Sequence, residues 1–296
     1  MSERRFGNYD ILSKIGEGGV AEVYRARAVS GPLAGQEVAL KRLSPALAQK
    51  PADVARFVEE GRLALSLSHP NIVRTFEAGE KDGIYFLVME RIDGRDLGQV
   101  LRRCAKRQIA LPIDFAVFLV TTLLSALSHA HSQGVVHGDV SPSNVFISRV
   151  GDVKLGDFGS ARGRATVRQD AVGVVGKPFY LSPEAFLGAV TTAADLWAAG
   201  VMLYEMVAGA RPYGGAGPEE VREAALHENR RPLAAYRQDV SRALEVVVAR
   251  ALSRMPSSRY TSAQLFAEAL APHWDERVGT PLAIAAVVRG LFAGPA

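Results

Sequence analysis

Three polar residues carry the strongest chemical signal in the chain. Asp139 and Asn144 lie five positions apart in His137-Gly138-Asp139-Val140-Ser141-Pro142-Ser143-Asn144, and a second carboxylate, Asp157, precedes Phe158-Gly159. Asp139 is a candidate proton acceptor for a substrate hydroxyl. Asn144 and Asp157 offer the oxygen ligands that a hard cation such as magnesium takes alongside phosphate oxygens and water. A base and a magnesium pair in this order are the equipment of phosphoryl transfer, where catalysis is mainly positioning and charge neutralisation.

Two features upstream fit that chemistry. Lys41 closes Val38-Ala39-Leu40-Lys41 and so puts a charge inside an apolar strand-like run. An unpaired charge there is costly, so a carboxylate partner is expected, and Glu59 and Glu60 on the next helical stretch are the candidates. Gly16-Glu17-Gly18-Gly19-Val20-Ala21-Glu22-Val23 lies between two strand-like runs. It reads either as a plain hairpin turn or as a loop whose glycines let backbone approach phosphates, with β-branched Val23 covering an adenine ring. A strand follows, so it is not a dinucleotide fingerprint, and it lacks the Gly-Lys-Ser/Thr ending of a P-loop.

The elements that must hold these residues can be sketched from pattern. Short β-prone runs fill 9–43, punctuated by glycines, and two more strands are expected at Ile72–Phe76 and Ile84–Met89. Helical spacing covers 52–67, with Val54, Phe57, Val58 and Leu65 on related faces, and His69-Pro70-Asn71 ends it. After Asp93-Gly94 helices dominate, at 96–107, 113–133, 192–208, 218–227, 240–252 and 261–270. Short strands at Val145–Ser148 and Val153–Leu155 interrupt them. A β-rich front and an α-rich back give an α+β, two-lobed layout, and clefts between lobes commonly bind ligands.

Composition sets the outer bounds. With 296 residues, 48% hydrophobic and 22% charged, the chain can bury a large core but exceeds the usual size of a single one. A net charge of +4 is a weak pointer to acidic partners, and no nucleic-acid partner is expected. The single cysteine, Cys104, excludes an intramolecular disulfide and fits a reducing, cytoplasmic setting. Met1–Phe6 lacks an apolar signal segment, and no run is expected to reach the length of a membrane span, so no transmembrane segment is expected.

On these motifs the chain resembles the eukaryotic-like (bacterial-type) serine/threonine protein kinase family. The resemblance covers about residues 9–271 and includes Gly176-Lys177-Pro178-Phe179-Tyr180-Leu181-Ser182-Pro183-Glu184 and Asp195-Leu196-Trp197-Ala198-Ala199-Gly200. It implies a two-lobed protein-kinase-like fold, with a small β-rich N-lobe over 1–90 and a larger helical C-lobe over 91–272. It implies ATP and Mg2+ as ligands and a protein as substrate, and it allows autophosphorylation.

The family pattern, counted back from His69-Pro70-Asn71, selects Glu60 as the partner that holds Lys41 against the α- and β-phosphates. Gly16, Gly18, Val23 and Ala39 fall at nucleotide-facing positions, with Ala21 in the place of a third glycine. Met89-Glu90-Arg91-Ile92 corresponds to the hinge, with Met89 at the back of the pocket and Glu90 and Ile92 at the adenine edge. Phe146 would be the floor under the adenine. Asp96 stands where an acidic residue meets the ribose, or else simply caps the helix that starts there. His137 and Phe158 are expected to pack as an apolar link to the small lobe. Arg259 matches the Arg that pairs with Glu184, and the start of the 192–208 helix matches the element that anchors the catalytic loop.

The chain departs from the family at three further positions. Gly138 replaces an Arg that binds a phosphate on the activation segment, so switching through that contact should be weak; Thr166, among Arg162, Arg164 and Arg168, is the candidate phosphosite there. Ser141 replaces a Lys that contacts the transferring phosphate. Lys177 stands where a Thr is usual, and an exchange is expected in which its ammonium reaches the γ-phosphate; the alternative is that it points to solvent. Ser141-Pro142 is closer to the Lys-Pro of Ser/Thr kinases than to the Ala-Ala-Arg or Arg-Ala-Ala of tyrosine kinases. Two other readings stand beside an active kinase: a nucleotide-binding pseudokinase scaffold, and a small-molecule kinase of the same fold. Beyond Pro272, in an extension over 273–296, Thr280-Pro281 is expected to start a short apolar helix, Leu282–Phe292, packed on the large lobe.

Overall fold

The computed structural model describes residues 5–158, 162–163, 177–227, 230–275 and 277–293, with the backbone alone at 162–163. Gly159, Arg164, Thr166, Arg168 and Gly176, and the side chain of Arg162, lie outside the described residues. The chain forms two compact units, Met1–Ile92 and Asp93–Ala296.

The first unit opens with β1 (Arg5–Phe6), β2 (Tyr9–Glu17), β3 (Ala21–Ala28) and β4 (Glu37–Leu43). Helices α1 (Pro45–Ala48) and α2 (Pro51–Ser66) follow, then β5 (Thr75–Lys81) and β6 (Ile84–Glu90). The strands form one antiparallel sheet in the order β1-β2-β3-β4-β6-β5. Alternation along β4 splits its side chains between two cores. Val38 and Leu40 join Phe6, Tyr9, Ala26 and Val88 on one face, while Leu43 joins Ala21, Leu87 and Phe57 of α2 on the other.

Two expectations need correction in this unit. The strand expected at Ile72–Phe76 begins three residues later and runs on through Glu77-Ala78-Gly79-Glu80-Lys81. Those residues have low strand propensity, but Asp82 (φ 52) and Gly83 (φ 78) form a two-residue left-handed turn that pairs Lys81 with Ile84 and zips the segment onto β6. On α2 the buried positions are Phe57, Glu60, Gly61, Leu63 and Ala64, whereas Val58 and Leu65 are 51% and 45% exposed. The helix turns a charged and a small residue toward the sheet, which an apolar count cannot anticipate.

The second unit holds β7 (Gly94–Asp96), α3 (Leu97–Arg107), α4 (Ile113–Ser132), β8 (Val135–Val136), β9 (Val145–Ser148), β10 (Val153–Leu155) and β11 (Arg162–Gly163). Helices α5 (Thr192–Ala208), α6 (Pro218–Leu226), α7 (Arg242–Ala251), α8 (Ala263–Leu270) and α9 (Pro281–Phe292) follow. The short strands pair as β10-β9-β7 and β11-β8. Helix α4 is the spine, packed against α5 and α8. At 20 residues, with a mean hydropathy of 1.6 over its most apolar 18-residue window, it is long and apolar enough to cross a membrane, which corrects the expectation that no run reaches that length. Its apolarity is used inside the unit, where ten of its residues are buried.

Just past α8, Trp274 lies against Phe118 of α4 at 5.4 Å. Thr280 caps α9 by accepting from the Ala283 amide, and α9 packs on α3.

Candidate active site

In the first unit, strand register assembles one group. Gly16 on β2 lies opposite Val23 on β3, Val23 opposite Lys41 on β4, and Lys41 opposite Leu87 on β6. Ala39, two residues from Lys41, pairs with Met89. The Gly-rich segment is therefore a β2–β3 hairpin whose Val23 neighbours the Lys41 backbone. Lys41 and Glu60 are only 8% and 5% exposed, and Nζ donates to Glu60 Oε1 at 2.6 Å. Glu59 instead pairs with Arg62 on the surface.

The reach from α2 to Lys41 depends on a residue that sequence reading passed over. A Cβ on Gly61 would stand 2.7 Å from Leu87 Cδ2 and 3.0 Å from Ala78 Cβ, so its absence lets α2 lie close on the sheet. The usable signal was a glycine inside a helical pattern, which commonly marks a close approach. Glu90 ends β6, its amide donating to Arg74 O at 2.8 Å, and Ile92 is the last residue of this unit.

In the second unit, the catalytic-loop candidates are fixed from below by a buried carboxylate. Asp195, on the first turn of α5, accepts from the amides of His137 and Gly138, each at 2.9 Å, and meets His131 Nε2 at 2.8 Å. The Asp195 role matches the expectation; His131, at the end of α4, was not anticipated. His137 Nε2 donates to Gly156 O at 3.1 Å and Nδ1 accepts from the Asp139 amide at 3.2 Å, which sets the ring's tautomer. Its ring packs on Phe158 at 4.6 Å between centroids.

Asp139 and Asn144 are joined directly. Asn144 Nδ2 donates to Asp139 O at 2.8 Å and to Asp139 Oδ2 at 3.1 Å, which orients Asn144 Oδ1 away from Asp139. The Gly156 amide donates to Asn144 O at 2.8 Å and so brings Asp157 alongside. Asp157 is exposed and has φ 59, an uncommon backbone state for a residue other than glycine. Burial pushes the Asp139 carboxyl above the usual carboxylate range, against the Lys177 charge and the Asn144 hydrogen bond, which favour ionisation. Lys177 Nζ donates to the buried Ser141 Oγ at 3.2 Å.

The donor set bears on magnesium. Among the described residues no group of three or more His, Cys, Asp or Glu side chains could hold a metal. One amide oxygen and one carboxylate, Asn144 and Asp157, fit a cation that keeps waters and shares a substrate's phosphates, not one held in an all-protein cage.

Flanking contacts complete the frame. Glu184 and Arg259 form a two-pronged pair at 2.6 and 2.8 Å, with the Arg259 side chain fully buried and also donating to the carbonyls of Ala193, Ser253 and Arg254. Tyr180 donates to Glu205 at 2.5 Å. Asp96 caps α3 by accepting from the Gln99 amide at 2.8 Å, and it sits opposite Phe146 in the β7–β9 ladder.

The chain is 33% identical over 283 residues to the tyrosine-protein kinase MasK of Myxococcus xanthus, an alignment covering 92% of this chain and 44% of that protein. It is 36% identical to the serine/threonine-protein kinase PksC of Streptomyces coelicolor, covering 87% and 47%, and 32% identical to PrkC of Bacillus subtilis, covering 89% and 40%. The chain thus spans under half the length of these relatives. The crystal structure of the Mycobacterium tuberculosis PknI kinase domain superposes with a TM-score of 0.68 at 30% identity, covering 90% of this chain and 97% of that one. The protein kinase domain profile matches residues 9–271, all but the ends of the chain, and on that match the chain belongs to the protein kinase domain family.

Proposed function

We propose that this chain is an ATP- and magnesium-dependent protein kinase that phosphorylates Ser or Thr hydroxyls. The observation that carries the reading is Asp139, partly buried and held toward Asn144 in a loop that Asp195 anchors through two backbone amides. The substrate hydroxyl oxygen attacks the γ-phosphorus of ATP, the bond from that phosphorus to the ADP oxygen breaks, and the hydroxyl proton passes to Asp139. Magnesium, when bound, neutralises phosphate charge, and Asn144 and Asp157 would hold it. Lys41, kept in place by Glu60, would meet the α- and β-phosphates.

Lys177 is proposed to supply the cation that the catalytic loop lacks at Ser141. Its ammonium already reaches the Ser141 hydroxyl and acts on the Asp139 carboxyl, so it lies beside the reacting groups. The buried Lys41–Glu60 pair and the positioned Asp139 speak against a scaffold that only binds nucleotide. Ser/Thr specificity is supported by Ser141-Pro142 and by the names of PksC and PrkC, while MasK carries a tyrosine-kinase name.

The test is γ-phosphate transfer from Mg-ATP to the chain itself and to a generic basic protein, beside Asp139→Asn, with the phosphorylated amino acid identified. Phosphoserine or phosphothreonine that vanishes in the variant is expected. Phosphotyrosine would move the specificity, and no transfer despite nucleotide binding would favour the scaffold.

A further inference from the structure

The C-terminal helix α9 touches, within its own unit, the elements that carry Asp96 and Phe146. At its start, Pro281 rests on the β9–β10 turn: a Cβ on Gly151, whose φ is 94, would fall 1.7 Å from the Pro281 carbonyl oxygen. Along its length Ile284, Ala285, Val288 and Leu291 are buried, and the helix packs on α3. At its end, three carbonyls that an α-helix leaves without internal partners are met by cations from α3. Arg103 Nε donates to Leu291 O at 3.0 Å, and Arg107 donates to Gly290 O at 3.3 Å and Ala293 O at 2.9 Å. The guanidinium groups of Arg95 on β7 and Arg103 on α3 lie over the Phe292 ring at 4.8 and 5.8 Å.

These contacts converge on one small sheet. β7 pairs with β9, and in that register Asp96 lies opposite Phe146. Asp96 also starts α3 as its cap. One end of α9 therefore bears on the turn that closes β9, and the other on β7 and α3.

We propose that α9 is a clamp that holds β7, α3 and the β9–β10 turn in the arrangement that presents Asp96 and Phe146 to the nucleotide. The inference rests on the kinase reading above, which puts those two residues at the ribose and the adenine. Arg103, Arg107 and Phe292 are positioning residues that touch no reacting group. Their effect is preorganisation: a site already ordered loses less freedom when the nucleotide arrives.

The experiment uses the full chain with Arg107→Ala and Phe292→Ala combined; both side chains are partly exposed, so the core is left intact. The readouts are the Kd for a non-hydrolysable ATP analogue with Mg2+, KM for ATP and kcat at saturating ATP, and the thermal midpoint without nucleotide. The expected result is a rise in Kd and KM of about threefold to tenfold with kcat unchanged, the size of ordering one or two side chains. Arg107→Lys, which keeps a cationic donor for the carbonyls, should recover most of the affinity. A lower thermal midpoint with unchanged Kd and KM would make α9 a stabilising strut only and overturn the clamp. Failure of the wild-type chain to bind the analogue would overturn the kinase reading and the clamp together, and is told apart by that measurement alone.

Discussion

Asp139 stands between opposed influences. Burial favours its proton, while Lys177 and Asn144 favour the carboxylate, and the balance leaves the group harder to ionise than a free Asp. A carboxyl whose folded pKa is raised adds stability that is fully present below the unfolded pKa and is lost as pH rises through the folded one. Asp139→Asn should therefore abolish transfer yet raise the thermal midpoint of the nucleotide-free protein at neutral pH, with the difference closing toward pH ~4. A lower midpoint would mean that ion pairing outweighs burial at this site. Lys177→Met should lower kcat by about 100- to 1,000-fold, the range for losing one charge-stabilising group. It should also move the acid limb of the kcat/KM profile upward, because the cation that helps Asp139 ionise is gone. Unchanged turnover would sink the exchange of Lys177 for the missing loop Lys.

At the level of elements, α2 against its sheet is the arrangement most sensitive to a single atom. Gly61 costs helix propensity, about 1 kcal/mol relative to Ala. It is retained where Ala78 Cβ and Leu87 leave no room for a methyl group. Leu87 Cδ2 can swing aside, but Ala78 Cβ is fixed to β5, so overpacking at about 1–3 kcal/mol should outweigh the propensity gain. Gly61→Ala is therefore expected to lower stability by up to about 2 kcal/mol in denaturant melts. It should lower activity further by drawing Glu60 away from Lys41. A variant more stable than wild type with full activity would show that α2 has slack the structure does not display.

For the molecule as a whole, ligand binding should read out as stability. A ligand that binds only the folded state adds about 2.7 kcal/mol at a concentration 100 times its Kd. Mg-ATP should raise the thermal midpoint, and chelating magnesium with EDTA, or replacing Asp157 with Ala, should remove most of that shift, measured for each protein against its own nucleotide-free midpoint. A shift that survives both would take Asp157 out of the metal's coordination. Because the chain spans less than half of relatives such as PrkC, these measurements speak to the kinase domain alone.

Much of this protein was legible before any coordinates. The order Lys41, Asp139, Asn144, Asp157 and the helices of the second unit were read from local spacing, since periodicity and motif order are properties of neighbouring residues, while Glu60 was singled out from Glu59 only through the family resemblance. Thr280-Pro281 likewise marked the start of α9, because capping is a local event. Tertiary packing alone decided the rest. It turned one face of α2 to the sheet, burying Gly61 beside Glu60 and leaving Val58 and Leu65 in solvent. It brought His131 to Asp195 across 64 positions and Arg103 to Leu291 across 188. It also made the apolar α4 an internal spine. Such pairings depend on how elements stack, and residues that far apart in the chain leave no periodic trace of one another in a single sequence.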